Sequence, residues 1–257
     1  MNIREVLRYI IENKVSIEEA EKLLSIYAIE YIDNIARLDI NREIRKGVPE
    51  VIYGENKKLD DLKSISLKVL EKNGLVIISR INKRYINSLK ESLKDYNIKI
   101  GKYSNTIFAY KEKPKLKYGP VGLITAGTSD IKIAEEAEFV LEAMECKVIK
   151  GYDAGIAGVH RLFSILKDIL ENNADVIITI AGMEGALASL VASLVDIPVI
   201  GVPTSIGYGY GSNGYGALAS MLQSCSFGLA VVNIDNGIGA GALAAIIAKR
   251  VAQFKPL

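Results

Sequence analysis

The 257-residue chain has no tryptophan, one histidine and two cysteines. Two thiols, Cys146 and Cys225, cannot build a disulfide framework. With His160 as the lone imidazole they offer no zinc-ligand spacing either. So few cysteines fit a reducing compartment. No apolar run approaches the roughly 18–20 residues that a membrane helix needs. Charges interrupt the opening Met1-Asn2-Ile3-Arg4-Glu5, so no secretory leader is read there, and the expected location is the cytoplasm. A P-loop for ATP is missing as well.

What is present describes an ordinary globular protein, 49% hydrophobic and 24% charged, long enough to bury a substantial core. The net charge of +2 hides an asymmetry: residues 1–117 carry 24 Lys and Arg against 17 Asp and Glu, and the remainder carry 8 against 13. Acids and bases alternate through 57–61 and 90–95, which describes solvated helical surfaces. No helix gathers its bases on one face beside aromatic stacking positions, so nucleic acid is not expected as a partner.

Two patterns divide the chain. The first 47 residues read as helices: Ser16-Ile17-Glu18-Glu19 is a capping box, followed by apolar Ala20, Leu23, Leu24 and Ala28 at helical spacing. Strands follow near 51–53 and 75–79 with a helix from about 59 to 72 between them, then a helix near 83–93 and strands near 98–100 and 106–110. Residues 111–120, basic, aperiodic and carrying two prolines, read as a linker. The expected domains are therefore 1–117, a smaller α/β domain with a helical start, and 118–257.

From Val121 the pattern becomes strand, glycine-bearing turn and helix, five times over. The strands, about 121–125, 147–152, 176–180, 199–202 and 229–233, are short and apolar without alternation, as when helices cover both faces. This predicts an α/β fold with a doubly wound parallel sheet, whose ligands bind beyond the carboxyl ends of the strands. The candidate functional residues are all expected on that edge.

Gly127-Thr128-Ser129-Asp130 stands where a strand ends and a helix begins. That position suits a phosphate, and it equally suits a plain helix cap. His160-Arg161 opens the second helix, pairing an imidazole able to move protons near neutral pH with a guanidinium that grips phosphate. Glu184 precedes an alanine-rich helix, either complementing its dipole or serving as a general base. Cys146 reads as a core residue. Cys225, placed on the last turn of its helix, gains nothing from a dipole that disfavours a thiolate there. Gly209-x-Gly211-x-x-Gly214 with Asp235 mimics a dinucleotide fingerprint. Its first glycine comes too late after the strand, and no full mononucleotide unit follows, so an oxidoreductase is not favoured.

Taken together, these turns resemble two related families. Gly127-Thr-Ser-Asp130, Ala157-Gly-Val-His-Arg161, the Ala181–Ala188 loop and Pro198-Val-Ile-Gly-Val-Pro203 are similar to the PurE carboxylases and mutases that act on aminoimidazole ribonucleotide. Glu184, Tyr208-Gly-Tyr-Gly-Ser-Asn213, Leu222-Gln-Ser-Cys225 and the 231–241 segment depart from PurE and resemble LarB, of nickel-pincer nucleotide biosynthesis. Ala36-Arg-Leu-Asp39, Arg42, Arg45 and Gly47-Val-Pro-Glu-Val51 resemble the LarB amino-terminal segment.

The LarB resemblance implies carboxylation of the pyridinium ring of nicotinic acid adenine dinucleotide at C5 by CO2 or bicarbonate, and hydrolysis of the phosphoanhydride to release AMP. It makes Cys225 the nucleophile and Glu184 or His160 the proton acceptor. PurE analogy assigns Gly127, Thr128, Ser129, Asp130 and Arg161 to substrate phosphates, and Asn213 belongs with the LarB-like substrate loop. No cofactor is built in, and a Mg²⁺ ion would ride on the substrate pyrophosphate, because no carboxylate cluster builds a protein cage. Family analogy also implies a homo-oligomer, an octamer, joined through small-residue helices near 214–220 and 239–248, with active sites near subunit interfaces. The competing readings are a PurE-type purine enzyme, which needs neither Cys225 nor the first domain, and a nucleotide-binding regulator without catalysis.

Overall fold

The structure, a computed structural model, describes residues 3–24, 29–32, 36–39 and 46–254. Two compact units divide the chain: residues 1–99 with 107–113, and residues 100–106 with 114–257. No helix among the described residues is long and apolar enough to cross a membrane.

The first unit begins with helices α1 (Ile3–Ile11) and α2 (Ile17–Leu24). The capping box is formed at α2: the Glu19 N–H donates to Ser16 Oγ at 3.1 Å, and the Ser16 N–H donates to Glu19 Oε2 at 2.9 Å. Residues 1–47 are not all helical, however. β1 (Ile29–Ile32) and β2 (Ala36–Asp39) pair antiparallel, Ile29 opposite Asp39 and Ile32 opposite Ala36. The physical reason is in the sequence. Ile29, Tyr31 and Ile32 are β-branched or aromatic, and the intervening Asp33-Asn34 are turn-forming residue types. Ala28, Arg42 and Arg45 lie outside the described residues.

A four-stranded sheet follows in the order β3 (Val51–Tyr53), β4 (Leu75–Ser79), β6 (Ile107–Tyr110), β5 (Asn97–Ile100). Helix α3 (Leu59–Asn73) crosses between the parallel pair β3 and β4 and stops at Gly74, which takes a left-handed conformation and returns its N–H to Leu70. Leu62, Ile65, Val69 and Leu70 recur at helical spacing and are buried against Ile52, Val76 and Ile78, with Leu89 of α4 (Ile86–Ser92) closing the core.

The second unit carries β7 (Tyr118–Thr125), α5 (Ile131–Ala143), β8 (Cys146–Gly151), α6 (His160–Glu171), β9 (Val176–Ala181), α7 (Ala186–Leu194), β10 (Val199–Pro203), α8 (Tyr215–Leu222), β11 (Leu229–Val231) and α9 (Gly237–Ala252). The five strands pair in parallel in the order β8-β7-β9-β10-β11. Every residue of β9 is buried, which explains its unbroken apolar run. Leu162, Leu166 and Ile169 of α6, Leu187 and Val191 of α7 and Met221 of α8 form one core cluster. α9 packs on α5.

Residues 100–106 are held in this unit by Glu135 of α5. Its half-buried carboxylate accepts the backbone N–H groups of Lys102, Tyr103 and Ser104 at 2.9, 2.9 and 2.6 Å. Hydrogen bonds to an ionised acceptor contribute more than neutral ones. Glu135→Ala should therefore cost on the order of 2–3 kcal/mol and open the Lys102–Tyr103 bond to trypsin. Denaturant titration and limited proteolysis measure both, and a trypsin-resistant variant of wild-type stability would show the clasp to be incidental.

Candidate active site

The strand order reverses between β7 and β9, where α5 leaves one sheet face and α7 the other. In open parallel sheets that switch point leaves a crevice at the carboxyl edge. A cavity of about 240 Å³ lies here. It is lined by Ala126-Gly127 after β7, Gly155-Ile156-Ala157 after β8, and Ala181-Gly182-Met183-Glu184 with Ala186 and Leu187 after β9. The walls are apolar. Among the lining residues Glu184 alone is ionisable.

Close backbone approach shapes the crevice. A Cβ on Gly182 would collide with the Ile206 carbonyl oxygen and come within 2.8 Å of Thr204 Oγ1. The next residue, Met183, holds a left-handed φ of 52° and donates its N–H to the Ile206 carbonyl at 3.1 Å. Asp153, Asn213 and Asp235, on other loops of the same edge, also have positive φ. Non-glycine residues in this conformation concentrate where surrounding structure enforces them, often at functional sites.

The polar groups around the crevice hold loops together. Asp130, buried at the end of the Thr128–Asp130 turn, accepts the Gly127 N–H at 2.9 Å with one oxygen and the Thr204 hydroxyl at 2.8 Å with the other. Burial lifts its carboxyl above the ordinary value of 3.8, and the Thr204 and Gly127 hydrogen bonds oppose that lift. Thr128 and Ser129 of the same turn are exposed. Asp235 accepts the Ser205 N–H at 2.9 Å. Asp153 contacts the Arg161 guanidinium and receives its own backbone anchor at Thr125 Oγ1, 3.3 Å away. His160 and Arg161 open α6, exposed, just beyond the Gly155–Ala157 wall. Asn213 is exposed on the β10–α8 loop of the same edge. Thr204 and Asp153 escaped sequence reasoning, and Asp235 was read there only as part of a dinucleotide-like motif, although all three lie in loops that follow strands, where such loops tie together.

Cys225 requires a correction. α8 ends at Leu222, so the thiol lies three residues beyond the helix, exposed, in the loop that leads into β11. Gly228 of that loop accepts the N–H of Val199, the first residue of β10, at 2.9 Å, and Ser226 Oγ donates to the Ser189 carbonyl at 2.8 Å. These anchors place Cys225 towards the amino edge of the sheet, away from the crevice. Strands of five or six residues separate the two edges by roughly 15–20 Å. Within one chain Cys225 is not brought together with Glu184 or His160. Loops that follow helices in a parallel sheet open strands, and the expectation of a shared edge overlooked this. Cys146 is buried, and burial pushes its thiol up to about 11. Among the described residues no three His, Cys, Asp or Glu side chains gather as a metal site.

The AIR carboxylase family matches residues 120–255, and the LarB/PurE-like N-terminal domain matches residues 29–111. The chain belongs to the LarB family. An uncharacterized protein of Methanocaldococcus jannaschii is 48% identical over 96% of this chain and 97% of its own length. An N5-carboxyaminoimidazole ribonucleotide mutase of the same organism is 36% identical over 48% of this chain and 74% of its own length. The corresponding mutase of Thermotoga maritima is 32% identical over 52% of this chain and 82% of its own length. The LarB-type chain is thus a carboxylase-family protein whose second unit shares the parallel fold of the PurE enzymes.

In this LarB-family crevice the Asp130–Thr204 contact ties the β7 turn to the β10 end, and it is testable through pH. A carboxyl raised by folding contributes stability that is full below its unfolded value and lost as pH rises through its folded value. Thr204→Val removes a donor that favours the ionised form, so it should lift the Asp130 carboxyl further. The variant should lose roughly 1–3 kcal/mol at neutral pH, with the deficit shrinking in acid as Asp130 protonates. Denaturant titration from pH 4 to 8 measures this, and a pH-independent deficit would mean that the hydroxyl stabilises the fold regardless of the charge on Asp130.

Proposed function

We propose that the protein carboxylates the pyridinium ring of nicotinic acid adenine dinucleotide and cleaves its phosphoanhydride to release AMP. The observation that carries this reading is the crevice itself: an apolar cavity of one-ring size with a single carboxylate, Glu184, on its wall. Such walls suit a flat heteroaromatic ring and uncharged CO2, and one base is what the reaction requires. The LarB-type first domain distinguishes the chain from the mutases, whose similarity is confined to about half of it. Those mutases support a second reading, a PurE-type enzyme acting on an aminoimidazole ribonucleotide.

A pyridinium carbon is electron-poor and does not attack CO2. Addition of the Cys225 thiolate forms a carbon–sulfur bond and neutralises the ring, leaving an enamine whose C5 is nucleophilic. C5 then forms a bond to CO2, and its proton passes to the Glu184 carboxylate, or to His160 at the rim. Breaking the carbon–sulfur bond returns the electron pair to sulfur and restores the aromatic cation. Attack by water on the phosphoanhydride releases AMP. Arg161, with Thr128 and Ser129 on the neighbouring turn, offers donors to the phosphates.

Cys225 and Glu184 stand towards opposite edges of one chain, so on this reading the thiol enters the crevice of a second copy in a homo-oligomer. The decisive assay incubates the protein with nicotinic acid adenine dinucleotide and bicarbonate and detects AMP by chromatography. Turnover of aminoimidazole ribonucleotide alone would favour the mutase-like reading. Cys225→Ser should abolish carboxylation, because a hydroxyl is largely protonated at neutral pH, and Cys146→Ser should not. Glu184→Gln should slow turnover by about 10²–10⁴-fold. Mixing the Cys225→Ser and Glu184→Gln proteins, exchanged into common assemblies, should restore part of the activity. Mixed assemblies that stay inactive would refute the shared site.

A further inference from the structure

We infer that Tyr208 and Tyr210 form a stacking subsite for the purine base of the dinucleotide, outside the cavity that takes its pyridinium half. This rests on the proposed substrate. The cavity, about 240 Å³, falls below the roughly 300–1,000 Å³ of pockets that enclose a whole drug-sized ligand. A dinucleotide with its pyridinium in the cavity must lay its second half along the rim. None of the residues lining the cavity is aromatic, so a ring to stack on the base has to come from beyond them.

The β10–α8 loop supplies such rings beside the rim. Tyr208 is 81% exposed and Tyr210 fully so. The loop carrying them is hydrogen-bonded to Met183 of the cavity wall at one end and packs close to it at the other. At one end the Ile206 carbonyl accepts the Met183 N–H, and a Cβ on Gly207 would lie 3.3 Å from the Met183 nitrogen. At the other, Gly216 donates to the Gly211 carbonyl at 3.1 Å, and a Cβ on Gly216 would lie 3.3 Å from the Met183 carbonyl oxygen. Between the two tyrosines Gly209 has φ 78° with open space around it, so backbone conformation rather than crowding requires glycine there. Tyrosine has two side-chain torsions and an amphipathic ring, so it loses little freedom on stacking. Base-on-aromatic stacking tolerates any base edge and is lost on truncation to alanine.

Equilibrium dialysis with AMP tests the subsite directly, comparing the wild type with paired Tyr208→Ala, Tyr210→Ala and paired Tyr208→Phe, Tyr210→Phe proteins of verified assembly size. The alanine pair should bind AMP roughly 5–150-fold more weakly, the range expected for loss of stacking on one base. The phenylalanine pair should bind like wild type. In turnover, the alanine pair should raise KM for the dinucleotide more than it lowers kcat, and leave KM for nicotinic acid mononucleotide in place. AMP binding that is absent in the wild type or unchanged in the alanine pair would overturn the inference. So would a change of assembly size with AMP affinity intact, which would assign the rings to a subunit contact. If the wild type binds AMP through these rings yet never turns over the pyridinium dinucleotide, the base subsite stands and the proposed reaction falls.

Discussion

Right-handed crossovers govern everything at the carboxyl edge of the second unit. The step from β7 to β8 runs one way across the sheet, and the steps from β8 to β9, β10 and β11 run the other. With handedness fixed, the direction of a step decides which face its helix covers. α6, α7 and α8 consequently share one face and one core cluster, whereas α5 packs with α9. Between β7 and β9 the helices part to opposite faces, which leaves the crevice at the strand ends. The crevice is a consequence of strand order. Its chemistry is a matter of which residues line it.

Those residues divide the labour sharply. The buried or anchored acids hold loops: Asp130 to Gly127 and Thr204, Asp235 to Ser205, Asp153 to Arg161. With the acids so engaged, the cavity is lined by alanine, glycine, isoleucine, leucine and methionine, with Glu184 the exception. Glu184 is itself exposed, so its carboxylate gains strength over its action in water only once a bound reactant excludes solvent from the crevice. On the proposed reaction, such a site suits proton removal from a carbon acid and would give CO2 an apolar place to wait. The same backbone approaches that make it small, Gly182 against Ile206 above all, also fix the rim to which the tyrosine-bearing loop is tied.

Much of this was legible in the sequence. Five apolar runs each followed by a glycine-bearing turn specify a parallel sheet, because only strands covered on both faces lose their alternation. The turns could therefore be assigned to one edge, and Gly127 and Glu184 to one crevice. Periodicity was weaker where segments are short. The β1–β2 ribbon was hidden behind two genuine helices, since four-residue strands carry little periodic signal. Asp130 showed a different limit. A cap and a phosphate ligand use the same residue types at the same place, and only the positions of Gly127 and Thr204 account for both of its oxygens. No local pattern could announce the Glu135 clasp either, because its donors lie more than thirty residues away in sequence.

The misplacement of Cys225 carries the larger lesson. In a parallel sheet, loops after strands and loops after helices lie at opposite ends, so a residue's place follows from the element before it. A nucleophile in a loop that follows a helix cannot serve a crevice built from loops that follow strands in the same chain. The proposed chemistry therefore ties catalysis to association. On that proposal each active site would need one copy's switch point and another copy's helix-to-strand loop. Leu222 and Phe227, large, apolar and exposed on either side of Cys225, would then be covered in the act of delivering the thiol. Activity would depend on protomer concentration as assembly does, and the isolated subunit, though folded, would hold both halves of a site without the means to join them.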